Sequence, residues 1–197
     1  TIDSEEGLEI MRHTLAAQVL ARAVKNLYPK SKLAIGPTIK DGFYYDVECK
    51  ETISIDDLEK IEKEMDKIVK TKSSITKKLL SKKDALKVFK DKDESYKEEI
   101  INDSDQEDEF QLYYQDDEDF VDLCKGPHLP NLNFIGAYKL TTISGAYWKG
   151  DSSNTMLTRI YGTAWSNEKD LNEHLNNIEE AQKRDHRKLG KEMDLFH

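Results

Sequence analysis

The spacing of apolar residues changes along this chain, and that change confines it to a mixed α and β fold. In the first 28 residues Leu8, Met11, Leu15, Val19, Leu20, Val24 and Leu27 recur every three or four positions, which is the spacing of one helix face. Ser4 ahead of Glu5 and Glu6 offers a cap and sets acids against the positive end of the helix dipole, and Tyr28-Pro29 stops the run. From Phe120 onward the period falls to two, over Phe120–Cys124, Tyr138–Trp148 and Met156–Trp165, as half-buried strands require. A chain holding both periods must pack a helix layer on a sheet.

Between these ends the reading is consistent. Phe43, Tyr45 and Val47 alternate with Tyr44 and Asp46 as a strand, bracketed by turn signals at Gly36-Pro37 and Asp41-Gly42. Asp56-Asp57 opens a helix with Leu58, Ile61, Met65 and Ile68 inward, followed by a strand over Ile75–Leu80 and a helix over Ser81–Phe89. Asn102–Asp119 reads as a loop around a short strand, Phe110–Tyr114, with turns or bulges at Gly126-Pro127, Pro130, Gly145 and Gly150-Asp151. Ser166-Asn167-Glu168 caps a last helix with Leu171, Leu175 and Ile178 inward, which runs on past Arg184 as a charged connector. The expected architecture is α+β and two-layered, with a largely antiparallel sheet, one domain over residues 1–166, and a helix and linker over 167–197.

Composition narrows the function classes. No apolar run approaches the ~18 residues of a membrane span, and no basic-then-apolar leader opens the chain. Two cysteines, Cys49 and Cys124, make no disulfide scaffold and suit a reducing compartment, so the cytoplasm is the expected location. The net charge of −9 argues against a chain that grips nucleic acid over its whole surface. The charge is uneven, however. Asp91–Asp122 carries fifteen acids against two lysines, whereas Lys60–Lys90 holds eleven lysines against four acids. Lysines of that kind are usually a solvated face, and the alternative is a flank that tracks phosphates. There is no Gly-rich nucleotide-binding pattern.

The most informative five residues are Cys124-Lys125-Gly126-Pro127-His128. A tight bend at Gly-Pro lets a thiol and an imidazole converge, to hold zinc or to wall and relay protons for a hydrolytic water. Asp122 alternates onto the face of Cys124 and could orient the histidine or the water. Alone, such a pair is more often a buried cysteine beside a turn histidine. A second donor pair from the first helix would strengthen it, but only His13 is present, and Ala17 stands at the i+4 position where a partner would be. His174, His186 and His197 are expected to be solvated.

Several motifs in order resemble one family. Ala34-Ile35-Gly36-Pro37, Asp41 to Asp46, Cys124 to His128, Ser144 to Asp151 and Arg159 to Trp165 are similar to the N-terminal editing region of bacterial-type threonyl-tRNA synthetases, from Glu6 to about Asp194. Alanyl-tRNA editing domains resemble it more loosely. The resemblance implies that the ubiquitin-like domain, the aminoacylation core and the anticodon-binding domain lie outside this sequence. No Thr-tRNA synthesis is then expected. It implies an aminoacyl-tRNA ester hydrolase acting on seryl-tRNA(Thr), whose partners are the tRNA(Thr) acceptor end and the rest of the synthetase.

By the same resemblance the family's paired helix histidines fall on His13 and Ala17, and its Cys/His pair on Cys124 and His128. His13 and His128 are then the candidates for general base and water-positioner. Asp122 orients, Lys97 stabilises charge, Cys124 lines the serine pocket, and Tyr44 or Tyr45 meets the terminal adenosine. No cofactor is required. Zinc at His13, Cys124 and His128 is an open alternative, weakened by Ala17, which also implies impaired hydrolysis. The rival readings are an acceptor-end binding module without turnover and an alanyl-type deacylase.

Overall fold

In a computed structural model, which describes residues 3–116, 118 and 120–194, the first helix forms as its spacing implies. Ser4 accepts a hydrogen bond from the Gly7 amide at 3.0 Å, and α1 (Glu5–Thr14) follows. It leads without a break into a π-helical turn, Leu15–Leu20, and then α2 (Ala21–Leu27). A π turn is rare, appears mostly as a single-turn bulge inside an α-helix, and is frequent at functional sites. All six of its residues are buried.

The larger sheet is antiparallel. β3 (Gly42–Glu48) pairs with the short β1 (Lys32–Leu33) and β2 (Thr38–Ile39), and through its other edge with β8 (Met156–Trp165), which pairs with β7 (Ala137–Tyr147). Phe43, Tyr45 and Val47 of β3 point into the core, as their alternation implies. Asp46 departs from that pattern: it too is buried, because Arg159, directly opposite on β8, clasps both its oxygens at 2.8 and 3.0 Å. Met11, Leu15, Leu20 and Val24 of the first helical run pack with Ile61 and Met65 of α3 (Leu58–Lys70) on Phe43, Tyr45 and Ile160. This is the main core, with the helices as one layer and the sheet as the other.

A second, smaller sheet was not separated in the sequence reading. β4 (Ile75–Leu80), β5 (Phe110–Gln115) and β6 (Val121–Leu123) pair antiparallel in that order. One face of β5, Phe110 and Leu112, packs with Ala85 and Phe89 of α4 (Lys82–Asp91) and with Ile101. The other face carries Gln111, Tyr113 and Gln115.

Three expectations need correction. The acidic loop begins later than expected, because its first two residues, Asn102 and Asp103, end a helix that the spacing does not announce: α5 (Ser95–Asp103) puts Tyr96 against Trp148 and Ile101 into the second core. Its dense acids hide a weak apolar stripe that only tertiary contact makes stable. Gly145 is no turn or bulge but a regular member of β7 opposite Thr158, and the irregularity falls between Leu140 and Thr142. The final helix, α6 (Glu168–Asp194), is capped by Asn167, which accepts from the Asp170 amide at 2.8 Å. Only its first turns touch the sheet: Leu171 is buried, Ile178 is exposed, and every residue from 176 to 190 is exposed. His174 is not simply solvated, since its ring lies 4.9 Å from that of Trp165, while His186 is exposed and His197 lies outside the described residues.

Candidate active site

The first helix and the bend after β6 meet. β6 lies beside the π turn, so the residues just before it (His13, Thr14) face those just after β6 (Cys124, His128). The ring centroids of His13 and His128 are 4.7 Å apart, and Cys124 Sγ lies 3.0 Å from His13 Nε2. The donor atoms of His13, Cys124 and His128 all fall within 4.8 Å of one another. Gly126 makes the bend possible. Its φ is +63°, and a Cβ there would sit 2.0 Å from the Tyr113 hydroxyl.

These groups are kept uncharged. Burial holds the His13 imidazole below its ordinary pKa, with Asp122, Glu9 and the Pro127 backbone pulling it partly back. Deeper burial, reinforced by the neighbouring His13, takes His128 down to about 3. Burial pushes the Cys124 thiol up to about 11, against the help of the Gly126 amide, so the sulfur is protonated at neutral pH. That favours a cavity wall and hydrogen-bond donor over a nucleophile. His128 Nε2 is shut off from solvent without a hydrogen-bond partner among the described residues.

His13, Ala17, Lys97, Asp122 and Cys124 line one cavity of about 570 Å³, walled also by Gly36, Pro37, Ser104, Gln106 and residues 109–111. Lys97 enters from α5 and is almost wholly buried, with its Nζ 2.7 Å from Asp122 Oδ1. The Tyr45 hydroxyl donates to Asp122 Oδ2 at 3.1 Å, and the Leu123 amide donates to Oδ1 at 2.8 Å. Asp122 was expected to orient a histidine or a water. Its bonding partners are instead Lys97, Tyr45 and the backbone, and it reaches His13 through charge alone. The expectation for the tyrosines also changes. Tyr45 has no exposed surface and supports Asp122 from below. Tyr44 points to the opposite face of β3, with Arg159 stacked 4.0 Å over its ring and Tyr161 beside it at 5.6 Å. Neither lines the cavity.

Three residues at the site escaped the sequence reading. Thr14 touches His128, with its Oγ1 3.3 Å from Nδ1. Tyr113 meets the His128 ring edge-on at 4.5 Å. Gln18, wholly buried in the π turn, donates to the Tyr113 carbonyl at 3.4 Å and accepts from Gln115 Nε2 at 3.2 Å. The same Gln115 nitrogen donates to the Gln18 carbonyl at 2.9 Å, and Gln115 Oε1 accepts from Arg22 at 2.6 Å. A buried glutamine at a helical core position was the one available signal, since a buried amide demands partners.

A helical run thus lies on an antiparallel sheet, with His13 and Cys124 lining a cavity and His128 beside them. Residues 111–161 match the family described as the threonyl and alanyl tRNA synthetase second additional domain. Over all 197 residues the chain is 53% identical to the threonine–tRNA ligase of Francisella philomiragia subsp. philomiragia, covering 31% of that protein. It is 48% identical to that of Prochlorococcus marinus (strain MIT 9211) and 50% identical to that of Francisella tularensis subsp. tularensis (strain SCHU S4 / Schu 4), covering 30% of each. Along its whole length the chain is similar to threonine–tRNA ligases, in keeping with its resemblance to their editing region, and it spans about 30% of the length of the curated relatives it matches. No helix among the described residues is long and apolar enough to cross a membrane.

Proposed function

We propose that this chain is a hydrolytic proofreading unit that deacylates Ser-tRNA(Thr), working below full capacity because Ala17 stands where a second helix imidazole would complete the site. The observation that carries the reading is the convergence of His13, Cys124 and His128, the first two lining the same cavity as the Lys97–Asp122 pair. Serine differs from threonine by one methyl group, worth only ~1–3 kcal/mol to a synthetic pocket built for the larger residue. A second, tighter pocket inverts the test by refusing that methyl.

In this reading the seryl ester enters the cavity, and Cys124 lines the part that receives the hydroxymethyl group. His13 lines the cavity and is neutral, so its lone pair can take a proton from the attacking water. His128 is too weakly basic to share that task, and its ring nitrogen, within 4.8 Å of the His13 and Cys124 donor atoms, suits it to position the water. Lys97 is a fixed positive charge for the developing oxyanion, and Asp122 holds it in place. The donor set fits zinc, since two imidazoles and a thiol converge and one imidazole nitrogen lacks a partner among the described residues. His13, Cys124 and His128 would hold the ion, weakly with Ala17 at the fourth position, and bound zinc would supply Lewis acidity.

Residues 1–166 are read as the editing unit and 167–197 as a connector towards the rest of the synthetase, supported by the exposure of α6 beyond its first turns. A cytoplasmic location accords with a partner that is tRNA.

A second reading, an acceptor-end binding module without turnover, is favoured by Ala17 itself. Deacylation of Ser-tRNA(Thr), with Thr-tRNA(Thr) and Ala-tRNA(Ala) as controls, separates the two. Hydrolysis above background confined to the seryl ester, with a gain in Ala17→His, supports proofreading. Binding without turnover in both proteins supports the module, and preference for Ala-tRNA points to an alanyl-type deacylase.

A further inference from the structure

We infer that Thr14 is a positioning residue for this site: its hydroxyl fixes the tautomer of His128, so that Nδ1 carries the proton and Nε2 presents its lone pair beside His13 and Cys124. The inference rests on the proofreading reading for its catalytic part, but not for the tautomer itself.

The assignment follows from counting donors. Thr14 has no exposed surface, so its partners are all within the protein. A hydroxyl carries one proton and two lone pairs. The proton of Thr14 goes to the Ile10 carbonyl, 2.8 Å away, which as a carbonyl can only accept. One lone pair receives the Leu129 amide at 3.0 Å, which can only donate. The remaining contact, His128 Nδ1 at 3.3 Å, is left with a lone pair and no proton, so the imidazole must donate. A neutral imidazole has one N–H, so with Nδ1 donating to Thr14 its Nε2 is bare. It is also an atom with no hydrogen-bond partner among the described residues.

The two ends of this chain explain each other. A protonated Nε2 would be a buried donor with nothing to bond, while a bare Nε2 is an acceptor facing a cluster that has a thiol proton and an entering water to offer. Thr14 thus couples the last turn of α1 to the bend after β6 through two bonds, one to the Leu129 backbone and one to the ring. Tyr113, edge-on at 4.5 Å, leaves the ring little room to flip.

The test uses the protein as it is, with Thr14→Ser and Thr14→Val. Long-range ¹H–¹⁵N correlation of the histidine side chains at a fixed pH of about 8 reads each tautomer directly. The wild type and Thr14→Ser are expected to show His128 as Nδ1–H. Thr14→Val, which keeps the volume and loses the acceptor, is expected to show Nε2–H or a mixture. On Ser-tRNA(Thr), kcat falls about tenfold or more in Thr14→Val with KM within about twofold, and Thr14→Ser restores it. An Nε2–H signal in the wild type overturns the inference, and that measurement stands even if Thr14→Val fails to fold. A pure Nδ1–H signal in Thr14→Val, or a changed tautomer with unchanged kcat in an active protein, also overturns it. A wild type that shows Nδ1–H but does not hydrolyse the ester upholds the tautomer and overturns proofreading instead.

Discussion

Truncating Lys97 tests whether the cavity floor is held by its ion pair. Lys97 and Asp122 are each almost fully buried, with 2.7 Å between Nζ and Oδ1. Removing one member of such a pair leaves an uncompensated charge and costs about 3–5 kcal/mol. Asp122 would keep two other donors, the Tyr45 hydroxyl and the Leu123 amide, which places Lys97→Met near the lower end, about 3 kcal/mol. For a domain of this size each kcal/mol moves Tm by about 2–4 °C, so a fall of about 6–12 °C is expected. Urea unfolding followed by tryptophan fluorescence gives the free energy. Lys97→Met combined with Asp122→Asn removes both charges and is expected to recover about 1.5 kcal/mol or more relative to additivity. A loss under about 1 kcal/mol for Lys97→Met, or strict additivity in the double variant, would refute the view that this pair props the floor.

Acid should loosen the fold through the imidazoles. His128, held down to about 3, and His13, also lowered, are neutral when folded, while the unfolded chain binds protons near 6.5. Their contribution is complete above about pH 6.5 and is lost as pH falls, for His128 down towards 3, by up to about 1.4 kcal/mol per pH unit. His128→Gln is expected to flatten the stability slope between pH 6 and 4, and an unchanged slope would contradict the burial argument. Gln18→Leu strips the π turn of its link to the Tyr113 carbonyl and leaves Gln115 short of an acceptor, for a loss of about 1–3 kcal/mol in unfolding free energy. A neutral result would mean that water replaces the amide. With both thiols raised to about 11, iodoacetamide at pH 7.5 is expected to find about a hundredfold less thiolate than at an ordinary cysteine. Rapid labelling of Cys124 would instead revive a nucleophilic role.

The sequence by itself determined the elements whose cause is local. Ser4, Ser81 and Asn167 cap helices because a side-chain oxygen reaches an amide two or three residues on, and β8 covers Met156–Trp165 because its alternation continues through those ten residues. The Cys124/His128 bend was legible for the same reason: Gly-Pro shapes the chain where it stands. What only the tertiary structure decided involves groups distant in sequence. Asp122 pairs with Lys97 and Tyr45 across twenty-five and seventy-seven residues, so its duty at the cavity floor has no signature in its own neighbourhood. Tyr44 and Tyr45 look alike in sequence, yet the pleat buries one and turns the other to the far face. The π turn, α5 and the Thr14–His128 contact belong to the same class. Each is stabilised by partners that come within reach only when helix, small sheet and bend are packed together.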